Sequence, residues 1–77
     1  METTLHRITR ALKNVVTIGG DVTAETRLRE DLGFDSLDQV SAVIEVEHEF
    51  GVQISDDDAD TFRTVGDIVK FIDGRQS

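Results

Sequence analysis

The chain has 77 residues, no Cys, and a formal net charge of −8 from 16 Asp and Glu against 8 Lys and Arg. That length suits one domain, 1–77, with a modest core; the missing Cys excludes disulfides and thiolate metal sites, and the charge argues against nucleic acid or anionic lipid as a partner. The start, Met1-Glu2-Thr3-Thr4-Leu5, lacks the basic and apolar regions of a signal peptide, and no run reaches the roughly 18 apolar residues of a membrane span, so a cytoplasmic protein is expected.

Leu5, Ile8, Leu12 and Val15 recur at helical spacing and predict a first amphipathic helix. Thr3 or Thr4 caps its start. Asn14 and the β-branched run Val15-Val16-Thr17 weaken its end, and Gly19-Gly20 stops it. Residues 17–34 then read as a long loop anchored by Leu28, Leu32 and Phe34. A loop of that length in a compact domain points to a functional or packed connection.

Asp35 caps a second helix, expected from Ser36 to Phe50 and ended by Gly51. Asp38, three residues after the cap, makes a capping box with Asp in place of the usual Glu. Val43, Val46 and Phe50 share one face, flanked by Gln39 and Ala42. Leu37, Ser41, Ile44 and His48 share another. One face must pack on the core. The other is either a second packing surface or an exposed docking surface.

Ser55 caps a short helix through Asp56–Asp60, whose acidic first turn suits the helix dipole. Thr64 caps a final helix with Val65, Ile68, Val69 and Ile72 facing inward, and Gly74 ends it. Alternating strand patterns are absent. The expected fold class is all-α: a small bundle of three main helices plus one short helix, with a long loop between helices 1 and 2.

Charge is unevenly spread. From Glu30 to Phe62 there are eleven carboxylates and no Lys or Arg, while Arg7, Arg10 and Lys13 fall in the first fifteen residues. Such a field attracts basic protein surfaces. Within this stretch Gly33 permits a sharp turn, Asp35 caps, and Ser36 takes the exposed first helical position. A phosphodiester formed there lies close to free backbone N–H groups and the positive end of the helix dipole.

The run Asp31-Leu32-Gly33-Phe34-Asp35-Ser36-Leu37-Asp38 resembles the D-L-G-x-D-S-L signature of acyl carrier proteins. The resemblance continues through Glu45-Val46-Glu47-His48-Glu49-Phe50-Gly51 and the segments at 54–60 and 64–72, and is weakest in residues 1–25. It implies that Ser36 carries 4′-phosphopantetheine, moved from coenzyme A by a phosphopantetheinyl transferase (a holo-carrier synthase) with Mg²⁺. The arm supplies the thiol that the chain lacks and holds acyl groups as thioesters for fatty-acid or related lipid biosynthesis.

The same resemblance implies a cytoplasmic monomer that docks on basic surfaces of synthases and acyltransferases. Asp35, Leu37, Asp38, Ile44, Glu45, Glu47 and His48 would make that docking face, with Glu49 adding charge. Ala42, Val43, Val46 and Ala59 would line a cleft for the acyl chain. Nothing near Ser36 looks like its general base, and His48 lies three helical turns away, so a Ser–His pairing within the chain is not expected and a non-catalytic carrier is. Ser41 and His48 stand where many fatty-acid carriers have Glu, and Glu45 replaces a commonly small apolar residue. These departures point toward a specialised partner set.

A specialised polyketide or aminoacyl carrier is the alternative within the family, and the polyketide type is the harder to exclude. Peptidyl and aryl carriers usually show Gly-Gly-His/Asp-Ser, whereas Phe34-Asp35-Ser36 follows a single Gly33. A calcium module is a reading of another class. Asp56, Asp58, Asp60 and Asp67 stand at positions 1, 3, 5 and 12 of a twelve-residue loop, but Thr61 occupies the Gly position and the final Glu is missing. An acidic helical adaptor with an unmodified Ser36 is the remaining alternative. No catalytic or metal-ligating constellation stands out, since His6 and His48 are few and far apart.

Overall fold

The computed structural model describes residues 3–76, with the side chain of Gln76 excepted. The expected domain limits at Met1 and Ser77 lie outside the described residues. Four helices follow in order: α1 Thr4–Leu12, α2 Ser36–Phe50, α3 Asp56–Ala59 and α4 Val65–Gln76. No strand occurs among the described residues, only one isolated antiparallel bridge between Arg27 and Thr64.

Thr3 caps α1, its hydroxyl accepting from His6 N at 3.0 Å. The helix ends earlier than its apolar stripe. After Leu12 the bonding tightens: Asn14 N donates to Ala11 O and Val15 N to Leu12 O. The β-branched run that follows cannot hold helical rotamers cheaply, so Val15 packs half-buried from outside the helix. α4 departs in the opposite sense, passing through Gly74 to Gln76. Gly costs about 1 kcal/mol in a helix but stops one only when it turns left-handed, and only Gly33 and Gly51 do so here. Contacts from outside and within α4 hold the last turn: Thr4 Oγ1 donates to Asp73 Oδ1 at 2.6 Å, and the Arg75 guanidinium sits 5.4 Å from the Phe71 ring centroid.

The long connection between α1 and α2 is packed. Its residues 24–28 lie along residues 63–66, where Gly66 N donates to Ala24 O at 2.8 Å, Val65 N to Thr26 O at 2.9 Å and Leu28 N to Arg63 O at 3.0 Å. This strap drives Leu28 and Phe34 into the core with Ile8, Leu12, Ala42, Val46, Ile54, Phe62, Val65, Ile68 and Ile72. Val69, placed on the inward stripe by its spacing, is only half-buried. α1 packs against both α2 and α4.

At the other end of α2, Arg7 acts as a clamp. Its Nε donates to Glu49 Oε2 and its Nη2 to Glu49 O, both at 2.9 Å, while its guanidinium lies 4.3 Å from the Phe50 ring centroid. Arg10 Nη2 reaches the same Oε2 at 3.2 Å. Glu49 therefore serves the α1–α2 interface, not the outer face that its sequence position suggested. The Arg7 bond, foremost, holds its carboxyl below the ordinary range. Asp67 is likewise held low, first by the Arg63 backbone N–H.

Two expectations follow. A Cβ at Gly66 would stand 2.8 Å from Ala24 O. Gly66→Ala gains about 1 kcal/mol of helix propensity and loses about 1–3 kcal/mol to overpacking, so its urea midpoint should fall. Gly74→Ala, with nothing within 4 Å of the new Cβ, should raise it. Glu49 has a folded pKa below its unfolded one, so its contribution is full at neutral pH and disappears as pH falls through the folded value. The stability difference between wild type and Glu49→Gln should shrink as pH falls through and below the ordinary Glu range of about 4 to 5, as read from urea midpoints.

Candidate functional site

The site begins in the turn that leads into α2. Asp31 closes it around Arg27: its Oδ2 accepts from Arg27 N at 2.8 Å and its Oδ1 from Arg27 Nη2 at 3.2 Å. The Arg27 side chain, above all, depresses the Asp31 carboxyl. Gly33 N donates to Arg29 O, and Phe34 N to Leu28 O. Gly33 takes φ 73°, a conformation that L side chains rarely adopt. The chain reverses there and buries Phe34.

Asp35 and Asp38 then form the expected capping box. Asp35 Oδ1 accepts from Asp38 N at 2.8 Å, and Asp38 Oδ2 accepts from Asp35 N at 3.2 Å. Two of the backbone donors at the helix start are thereby satisfied. Ser36 is the next residue, the first of α2, and is exposed to solvent. Its hydroxyl is presented at the positive end of a fifteen-residue helix.

The second face of α2 is open. Leu37 is 76% exposed, Val40 58% and Ile44 45%. Ser41 and His48 are exposed beside them, and Glu45 is half-buried at the edge. Val40 was missed as a member of this face, although it stands three residues after Leu37 and four before Ile44, the spacing that marks one helical surface. Glu47 has a second duty, since its Oε2 accepts from Ile54 N at 2.7 Å and secures the chain after the left-handed Gly51.

An open groove of about 540 Å³ runs between α2 and α3, lined by Val40, Val43, Ile44, Ile54 and Ala59 among others. Of the four residues expected to line a cleft, Val43 and Ala59 do so, whereas Ala42 and Val46 are buried in the core. The acidic run of the calcium reading is a helix start: Ser55 Oγ accepts from Asp58 N at 3.1 Å, and Asp60 caps the end of α3. Asp67 Oδ2 accepts from Arg63 N and Thr64 N. No group of three His, Cys, Asp or Glu side chains among the described residues is placed to hold a metal ion.

The family model for the phosphopantetheine attachment site matches residues 6–72. A protein of Mycobacterium tuberculosis described as an acyl carrier protein superposes with a TM-score of 0.87 at 32% identity, over 95% of this chain and 99% of that one. The acyl carrier protein of Enterococcus faecalis gives a TM-score of 0.69 at 33% identity, over 92% and 95%.

The chain belongs to the acyl carrier proteins.

Its cofactor is accordingly 4′-phosphopantetheine, which supplies a terminal thiol for thioester formation. The residues of this carrier fit that group. Ser36 offers an exposed hydroxyl, Asp35 and Asp38 hold the helix start around it, and a phosphate suits the dipole there. Carriers of this family are generally non-catalytic and work with phosphopantetheinyl transferases and synthases. No described helix is long and apolar enough to cross a membrane.

Proposed function

We infer that Ser36 is the attachment residue and that this carrier passes acyl groups between separate enzymes in fatty-acid or related lipid biosynthesis. The observation that carries the assignment is the exposed Ser36 at the first position of α2, directly after the Asp35–Asp38 box. His48 is twelve residues further on, about 18 Å along the helix. His48 therefore cannot take the serine proton, and on this reading the transferase supplies the base. The chain then acts as a substrate of one enzyme and a tether for others, not as a catalyst.

Leu37, Val40 and Ile44 form the apolar centre of the proposed docking face, with Asp35, Asp38, Glu45, Glu47 and His48 around it. An apolar centre with an acidic rim suits brief encounters with basic enzyme surfaces, because the charge speeds and orients approach while the small apolar area limits residence. On this reading the carrier acts as a cytoplasmic monomer.

The deciding experiment is intact mass before and after incubation with coenzyme A, Mg²⁺ and a promiscuous transferase. Wild type should gain one phosphopantetheine and Ser36→Ala none; a folded wild type that gains nothing overturns the assignment. For docking, Leu37→Ala and Ile44→Ala should each lower the transferase kcat/KM by about tenfold, and added salt should slow wild-type loading. Unchanged rates in both variants would remove this face from the reading.

A further inference from the structure

A second groove, of about 570 Å³, adjoins the first. The two share Gln39, Ala59 and Asp60 in their linings. Gln39 lines both, its Nε2 donating to Phe62 O at 3.4 Å. That length is at the weak end of hydrogen bonding, so displacing the amide costs little. Gln39 is also the first residue of its face after Ser36, three positions along α2.

The linings differ in chemistry. The α2–α3 groove is largely aliphatic. The second is rimmed by Arg29 and Arg63, over a floor of Leu28 and Phe62. These two arginines bracket the acidic stretch in sequence, and the strap brings them together, because Leu28 N donates to Arg63 O.

Their pairing is unusual for this chain. Arg7 and Arg10 meet Glu49, Arg27 meets Asp31, and Arg75 covers the Phe71 ring. Arg29 and Arg63 form no ion pair among the described residues, and Arg63 Nη1 donates to the backbone oxygen of Asp60. Glu30 and Asp60 share the lining but lie outside ion-pair distance of both guanidinium groups. With twice as many carboxylates as cations in the chain, two guanidinium groups in one concavity remain open to an incoming anion.

We propose that this groove receives the terminal carboxylate of a dicarboxylic acyl cargo, with the alkyl segment of that cargo in the aliphatic groove and Gln39 at the boundary. The proposal rests on Ser36 as the attachment residue. Guanidinium forks match a carboxylate in shape and charge. A saturated chain end would desolvate them without replacing their hydrogen bonds, so it stays on the aliphatic side.

The test uses the sign of a titration. Adipoyl-coenzyme A labelled with ¹³C at the free carboxyl is loaded by a promiscuous transferase, loading is confirmed by intact mass, and the label is titrated by NMR. The acidic field of the protein by itself raises a carboxyl midpoint, whereas a guanidinium pair lowers it. The expected midpoint on the wild-type carrier lies about one unit below that of free adipoyl-coenzyme A. Arg29→Gln, which leaves the Leu28–Arg63 backbone bond untouched, should cancel part of the shift, and Arg29→Gln with Arg63→Gln should reverse it. A midpoint at or above the free value, with loading confirmed, overturns the proposal. Failure to load, with the mass unchanged, overturns the Ser36 reading first and this proposal with it.

Discussion

The rest of the structure depends on a short strap of backbone hydrogen bonds. Residues 24–28 lie against residues 63–66 through Gly66–Ala24, Val65–Thr26 and Leu28–Arg63. Without that strap the connection between α1 and α2 would be a free loop, with a large entropy cost on ordering. With it, Leu28 is fixed, the Arg27–Asp31 turn can close on it, and Gly33 can reverse the chain into Asp35. The position of Ser36 is thus set by residues that come more than twenty-five positions later in the chain. Gly66 is part of the same constraint, since only a residue without Cβ lets α4 start this close to Ala24.

Electrostatics in this carrier divides into two populations. Asp31, Glu49 and Asp67 are engaged by arginines or backbone N–H groups, which hold their carboxyls low and stabilise the fold. Exposed acidic residues such as Asp56 and Asp57 contribute mainly to the long-range field. The chain therefore uses one residue type for two purposes, and sequence position alone does not separate them. Glu49 and Glu47 illustrate this: both lie in the acidic helix, yet one meets Arg7 from α1 and the other holds Ile54 N.

Much of this was legible in the sequence because it is local. The Asp35 cap, the span of α2, the left-handed Gly51 and the exposed Ser36 all follow from residues within one or two turns of each other. The boundaries that failed depend on tertiary contact. α4 continues through Gly74 because α1 and Phe71 hold its last turn, and Gly by itself carries no sign of that. Ala42 and Val46 could not be told from groove residues by type, since a core and a cleft are both lined with small apolar side chains. Arg29 and Arg63 are far apart in sequence, and no spacing rule joins them. Val40 was the avoidable omission, because helical spacing already placed it with Leu37 and Ile44.

The two walls of the α2–α3 groove differ in stiffness. α2 is anchored at its start by the capping box and at its end by the Arg7 clamp, with Ala42 and Val46 seated in the core between. α3 is a single turn of four residues, none of them buried, held by its Ser55 cap and the chain on either side. Few apolar contacts resist its displacement, so local opening there costs far less than moving α2. Any mechanical work of widening this groove is consequently done on α3. The helix that carries Ser36 keeps its place, so the Ser36 end of α2 does not shift when the groove changes width.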